Sequence, residues 1–235
     1  MAKKKDKTSE YQYVDAWYSN QNGRSIPWKR IPSSEVKQFQ TGEAFNFNCF
    51  ATVQRFANDT KVKGEAFIAP LYFDLDHAED PSVSQKDAVK LVEFFTKEMD
   101  IRESDMWIYF SGSKGFHILI SSDALGIEPR NDLHKIFKHM AGYLVHRLGL
   151  TSLDLVVYTE KRMIRLPNSM HQKTNLFKTE ISVDELNKLT LEEIKDLAKS
   201  PRHPDDLPFT AEERKKAMKY RPRTGYLLIN KTEEY

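Results

Sequence analysis

The pattern of apolar and polar positions divides the middle of the chain into strands and helices. Leu71-Tyr-Phe-Asp-Leu-Asp76 is an apolar run interrupted by two aspartates. It predicts a strand, and because strand side chains alternate with a period of two, Asp74 and Asp76 share one face. The strand is expected to begin at Glu65, after a turn at Asn58-Asp59, with the aromatic and β-branched stretch from Phe45 to Phe56 as the preceding strand. From Ser84 to Met99, Ala88, Leu91, Val92, Phe95 and Met99 recur at helical spacing, with Ser84 as N-cap and Asp87 three residues on. Met106 to Phe110 and Phe116 to Ser121 predict two strands joined by the turn Ser111-Gly-Ser-Lys-Gly115. Asn131 to Leu148 predicts a helix that turns Leu133, Ile136, Phe137, Met140 and Leu144 inward and Lys135, Lys138, His139 and Arg147 outward, stopped by Gly149. Leu153 to Tyr158, Met163 to Leu166 and Leu176 to Ile181 are strand-like, and Asp184 to Lys199 and Ala211 to Lys219 are helical. Residues 11–40 read as irregular, with aromatic side chains among turn residues.

The order from Glu65 to Tyr158 is β-α-β-β-α-β, a split βαβ or RRM-like unit. The fold class is therefore α+β: this unit, an N-terminal α/β lobe and a C-terminal helical segment. In such a unit the first strand is central, with the third and fourth antiparallel on either side. The end of the first strand then lies beside the starts of the other two. That placement predicts that Asp74, Asp76, His117 and Asp154 converge on one edge, although about eighty residues separate them in sequence. Residues 1–10 are expected to be a disordered basic arm, 11–182 a single core and 183–235 a helical segment and tail.

The 235 residues are 40% hydrophobic and 30% charged, enough for one sizeable core. A formal net charge of +2 excludes a uniformly basic surface, so any polyanion site must come from local clustering. A single cysteine, Cys49, excludes an intrachain disulfide and a cysteine-rich zinc site within this chain. It suits a reducing cytosol, and the expected location is cytoplasmic or nucleoid-associated. No run approaches a membrane span, and the basic start Met1-Ala-Lys-Lys-Lys-Asp-Lys7 has no apolar core of a secretory signal.

Three stretches carry chemistry. Paired carboxylates on one strand face repel each other, and a divalent cation turns that cost into a binding site; a strand running out into a polar turn is the plain alternative. Ser111-Gly-Ser-Lys-Gly-Phe-His117 puts glycines, hydroxyls, Lys114 and His117 in one turn. Backbone N–H groups, a point charge and an imidazole donor there suit a phosphate, although the same residues also make an ordinary polar hairpin. Arg162 to Lys173 is a second basic stretch in which Arg165, alternating with Ile164 and Leu166, leans away from the core. With His171 and Lys173 it suits a triphosphate, or else shields a strand edge. His77, His134, His139 and His146 read as surface or packing residues. Lys29 and Arg30 beside Trp28 suit contact with a nucleic-acid strand, against the commoner reading of a packed surface aromatic.

Taken in order, Asp74-x-Asp76, Ser111-Gly-Ser-Lys-Gly-Phe-His117, Leu153-Asp154 and Arg165-Leu-Pro-Asn-Ser-Met-His171-Gln-Lys-Thr174 resemble the archaeo-eukaryotic primase superfamily, from about Phe45 to Ser182. That superfamily includes the primase small subunit and primase-polymerases. The resemblance implies a template-directed nucleotidyltransferase with a primase-polymerase core. Asp74, Asp76 and Asp154 would be catalytic and would hold two Mg²⁺ or Mn²⁺ ions. Ser111, Lys114, His117, Arg165, His171 and Lys173 would bind the nucleotide. It implies single-stranded DNA as template, NTP or dNTP substrates, a helicase or large-subunit-like partner, and no membrane. The chain departs from relatives that carry a zinc-binding module, so no structural zinc is expected. Lys114 stands where several relatives have arginine, and Glu160 rivals Asp154 as third carboxylate. A metal-dependent nuclease and a non-catalytic RRM-like nucleic-acid-binding module are the alternatives.

Overall fold

The computed structural model describes residues 10–217. The basic arm before Glu10, and the part of the expected C-terminal helix and tail beyond Ala217, lie outside the described residues. The chain opens with β1 (Tyr13–Tyr18), β2 (Lys29–Pro32) and the one-turn helix α1 (Val36–Gln38), followed by β3 (Cys49–Thr52), β4 (Arg55–Phe56) and β5 (Phe67–Ile68). It continues through β6 (Leu71–Asp76), α2 (Pro81–Glu93), β7 (Met106–Phe110), β8 (Gly115–Ile120) and α3 (Leu133–Leu148). Then come β9 (Met163–Arg165), β10 (Thr179–Ile181), α4 (Val183–Lys188), α5 (Leu191–Leu197) and α6 (Ala211–Ala217). Among the described residues, no helix is long and apolar enough to cross a membrane.

The strands form two antiparallel sheets, one in the order β5-β4-β1-β3-β9 with β2 also on β1, the other β10-β7-β8-β6. The main core lies between the second sheet and its helices. Phe73, Leu75, Phe116 and Ile118 from the sheet meet Leu91 and Val92 of α2 and Phe137 and Leu144 of α3. Alternation along β6 and β8 sends these apolar residues to one face and leaves Asp74, Asp76 and His117 on the other.

Several elements differ from their sequence reading. Residues 11–40 are not irregular: β1 and β2 lie there and pair in register from Tyr13↔Pro32 to Ala16↔Lys29. Both strands mix charged, polar and apolar residues, as in Tyr13-Val-Asp-Ala-Trp-Tyr18 and Lys29-Arg-Ile-Pro32, so no clean alternation marks them. The long strands expected from Phe45 and from Glu65 are each broken. Phe45, Asn46 and Asn48 have φ of 50°, 55° and 43°, outside strand geometry. Pro70, which lacks an N–H, separates β5 from β6, and the chain changes sheets there.

Helix α2 starts earlier than expected, with Pro81 in its first turn and Asp80 Oδ1 accepting from Ser82 N at 2.9 Å. Ser84 is buried within the helix and accepts from His77 N at 2.9 Å. After Glu93 the helix continues as a wider π turn through Glu98. Leu153 to Tyr158 is not a strand but one bridge, Leu75↔Leu153, followed by a 3₁₀ turn over Leu155–Val157. The helix expected from Asp184 to Lys199 is two short ones, because Thr190 starts α5 with its own capping box.

Candidate active site at the carboxylate edge of the second sheet

Backbone pairing assembles the site. Asp74 lies opposite His117, and Asp76 opposite Gly115. On the other side of β6, Asp154 N donates to Asp74 O at 2.9 Å and Asp76 N donates to Ser152 O at 2.8 Å. Asp74, Asp76, Asp154 and His117 therefore occupy neighbouring rungs of one strand edge. Asp87 of α2 holds this arrangement from behind. Its Oδ2 accepts from Thr151 N, Ser152 N and Ser152 Oγ at 2.7, 3.0 and 3.0 Å, which fixes the segment leading into Asp154. Burial works against the Asp87 charge, but these hydrogen bonds outweigh it and hold its pKa below the ordinary value.

The turn between β7 and β8 is tight for a reason of packing. A Cβ on Gly115 would stand 2.1 Å from Leu75 O, so only glycine lets β8 approach β6 there. Gly112 has φ of +85°. Ser111 Oγ accepts from Gly115 N at 3.2 Å and Ser113 N at 3.3 Å, and so is engaged within its own turn. Thr174 Oγ1 donates to Gly112 O, which ties the loop carrying His171 and Lys173 to this hairpin. Lys114 lies half-buried on the hairpin, and Lys173 is exposed.

The basic side chains are arranged differently from expectation. Arg165 does not lean away from the core: it is 8% exposed. Its Nη1 donates to Asn48 Oδ1 at 2.8 Å and Met170 O at 3.0 Å, and its guanidinium lies 4.6 Å from the Phe50 ring centroid. Burial lowers its pKa to about 10, so it stays charged at neutral pH. Burial, with help from Arg165 and Lys173, pushes His171 down to about 4, and its Nδ1 accepts from Lys173 N at 3.2 Å. Arg30 is also buried, ion-paired with Asp15 and Glu65 at 2.8 Å each, so it is not presented to a nucleic-acid strand. Glu160 lines a separate small pocket with Phe56, Lys63 and Lys161.

Two cations at the centre had no role in the sequence reading. Arg162 Nη2 reaches Asp74 Oδ2 at 2.6 Å, and its Nε is buried without a partner. Lys178 is fully buried, donates to Arg165 O at 2.9 Å and lies 4.4 Å from the Tyr109 ring centroid. Burial lowers its pKa to about 7. Arg162 stood in a stretch already marked as basic; for Lys178 the sequence holds no signal, since a lone lysine reads as surface. Burial, then the charges of Lys178, Arg162 and Arg165, hold the His117 pKa well below its usual value. The imidazole is therefore neutral, and its approach to Asp74 Oδ1, 3.5 Å from Nε2, is not an ion pair.

Among the described residues, no three acidic, histidine or cysteine side chains come together at metal-ligand spacing. Asp74 is turned to Arg162, and Asp154 Oδ1 accepts from Val156 N at 2.8 Å. The donor set nevertheless suits a hard divalent cation, because all three carboxylates are oxygen donors on adjoining rungs of one edge. Beside it, the two sheets enclose a cleft of about 560 Å³, walled by Trp107, Tyr109 and Leu119 on one side and Ala51, Ile164 and Leu166 on the other.

This chain is similar in fold to the polymerase domain of Mycobacterium tuberculosis ligase D, solved in complex with DNA. The likeness has a TM-score of 0.51 at 13% identity and covers 81% of this chain and 82% of that one. The catalytic domain of primase RepB′ in complex with initiator DNA aligns with a TM-score of 0.47 at 9% identity, over 97% of this chain and 90% of that one. No curated protein sequence matches. The family model of the DNA primase small subunit matches residues 73–212, more than half of the chain. That segment takes in the carboxylate end of β6, Asp154, the β7–β8 hairpin and the basic stretch from Arg162 to Lys173, and the chain belongs to the DNA primase small-subunit family.

Proposed function

We propose that this protein is a template-directed nucleotidyltransferase that makes or extends a nucleic-acid strand on single-stranded DNA. The observation that carries the reading is the register of β6. It sets Asp74 beside both His117 and Asp154, so that the oxygen donors and the strand that follows the Ser111–Gly115 turn share one edge. Asp74, Asp76 and Asp154 would hold two Mg²⁺ or Mn²⁺ ions, which when bound lower the pKa of the attacking 3′-hydroxyl and neutralise the departing pyrophosphate.

The chain's own residues bind and orient the nucleotide. Lys114 and Lys173, on loops tied together by Thr174, supply positive charge to the triphosphate. His117 and His171 act as neutral imidazole donors. Arg165 holds Asn48 and Met170 in place and adds its buried positive charge to the site. Ser111 fixes the shape of the turn by accepting from Ser113 N and Gly115 N.

An assay on single-stranded templates with labelled nucleotides tests this, run with Mg²⁺ or Mn²⁺, with and without an annealed primer, and with Asp74→Ala as control. Metal-dependent products that vanish in the variant support the reading, and the primerless lanes separate priming from extension. Retained incorporation by a folded Asp74→Ala protein would sink it. Degradation of DNA in lanes lacking nucleotides would point instead to a nuclease using the same carboxylates.

A further inference from the structure

One transverse rung of the second sheet carries polar side chains on every strand. Asp74 on β6 is opposite His117 on β8, His117 is opposite Tyr109 on β7, and Tyr109 is opposite Glu180 on β10. Directly opposed residues in neighbouring strands share a face, so all four lie on the site side of the sheet. Beyond the sheet, Glu180 forms an ion pair with Arg214 of α6. Arg214 is itself clamped. It donates to Ser104 O at 3.2 Å and Met106 O at 2.6 Å, and lies 4.8 Å from the Trp107 ring and 5.2 Å from that of Phe209.

At the other end of the rung His117 is weakly tethered. Its Nε2 is 3.5 Å from Asp74 Oδ1, and its Nδ1 is buried without a hydrogen-bond partner. Packing must therefore set the orientation of the imidazole. The neighbour on the β7 side is Tyr109, which is wedged between His117 and its cross-strand partner Glu180, with Lys178 over its ring. Glu180 is buried, and Arg214 is the counter-charge that keeps its carboxylate in place. Without that partner a buried carboxylate must move or take up a proton, and the wall that Tyr109 packs against on the β10 side would shift.

We propose that Tyr109, Glu180 and Arg214 are positioning residues for His117, so that helix α6 sets the imidazole beside Asp74 and with it the affinity for nucleotide. The affinity part rests on the reading of His117 given above; the positioning part does not.

The test has two arms. In the first, side-chain ¹⁵N spectra of histidine-labelled protein are compared, without nucleotide, for wild type, Tyr109→Phe and Glu180→Gln, with melting curves as fold controls. The His117 signals should shift in both variants while those of the six other histidines stay. Unmoved His117 signals in both folded variants would overturn the proposal. In the second arm, nucleotide affinity is measured in a double-mutant cycle. Tyr109→Phe should weaken binding about three- to tenfold in the wild-type background and less than about twofold in His117→Ala. An equal loss in both backgrounds would show that Tyr109 acts independently of His117 and would also overturn it. If the wild-type protein bound no nucleotide, the functional reading would fail, and the spectra would still decide the positioning.

Discussion

Arg162 Nη2 stands 2.6 Å from Asp74 Oδ2, so a carboxylate on the candidate metal edge is neutralised by an arginine 88 residues away in sequence. This arginine competes with a divalent cation for the same oxygens. In Arg162→Gln the divalent ion should bind more tightly. The concentration for half-maximal Mn²⁺ binding should fall roughly two- to fivefold, since a partly exposed ion pair is worth about 1 kcal/mol or less. Calorimetric titration with Mn²⁺ measures this directly, and unchanged or weaker binding in the variant would refute the competition.

Gly115→Ala should damage both the fold and the site. The added Cβ meets the Leu75 carbonyl oxygen, which belongs to backbone and has no side-chain freedom to yield. A cost of about 1–3 kcal/mol follows from overpacking alone. Urea denaturation reads the stability, and a variant as stable as wild type would mean that β8 can shift without loss.

Lys178 should leave a signature in the pH dependence of stability. Its pKa is lowered from 10.5 to about 7 in the folded protein by burial. Below that value the native state buries a charged ammonium at full cost. As pH rises through about 7 the native state releases the proton, whereas the unfolded chain keeps it until near 10.5, so the unfolded state binds more protons and stability rises. Between about pH 7 and pH 9 the wild type should gain roughly 2 kcal/mol relative to Lys178→Met. Denaturation curves of both proteins at the two pH values check this, and parallel changes would rule it out.

The thiol of Cys49 should be silent in the native protein. It is fully buried in β3 between β1 and β9, and burial pushes its pKa up to about 12. Thiol titration at neutral pH should show no reaction until denaturant is added. Rapid labelling without denaturant would mean that this sheet opens locally.

The register of the site was legible where the information was local. The period of two in Leu71–Asp76 is a property of the pleat, so the shared face of Asp74 and Asp76 needs no other strand. The stripe of α3, from Leu133 to Leu144, is likewise written in its own 3.6-residue spacing. The order of elements was enough to bring His117 and Asp154 to the end of β6, although the segment after Asp154 proved to be a turn and not a strand.

Burial of charge was not legible. Arg30, Arg165, Lys178 and Arg214 are all interior, and each reads as surface in sequence. What allows them inside is a partner far along the chain: Asp15 and Glu65 for Arg30, Asn48 for Arg165, and Glu180 for Arg214. The sequence by itself determined which faces are apolar and in what order the elements come, because alternation is built into each strand and helix. Only the tertiary structure decided where the charges go, because a buried charge is tolerated through groups that another element must supply.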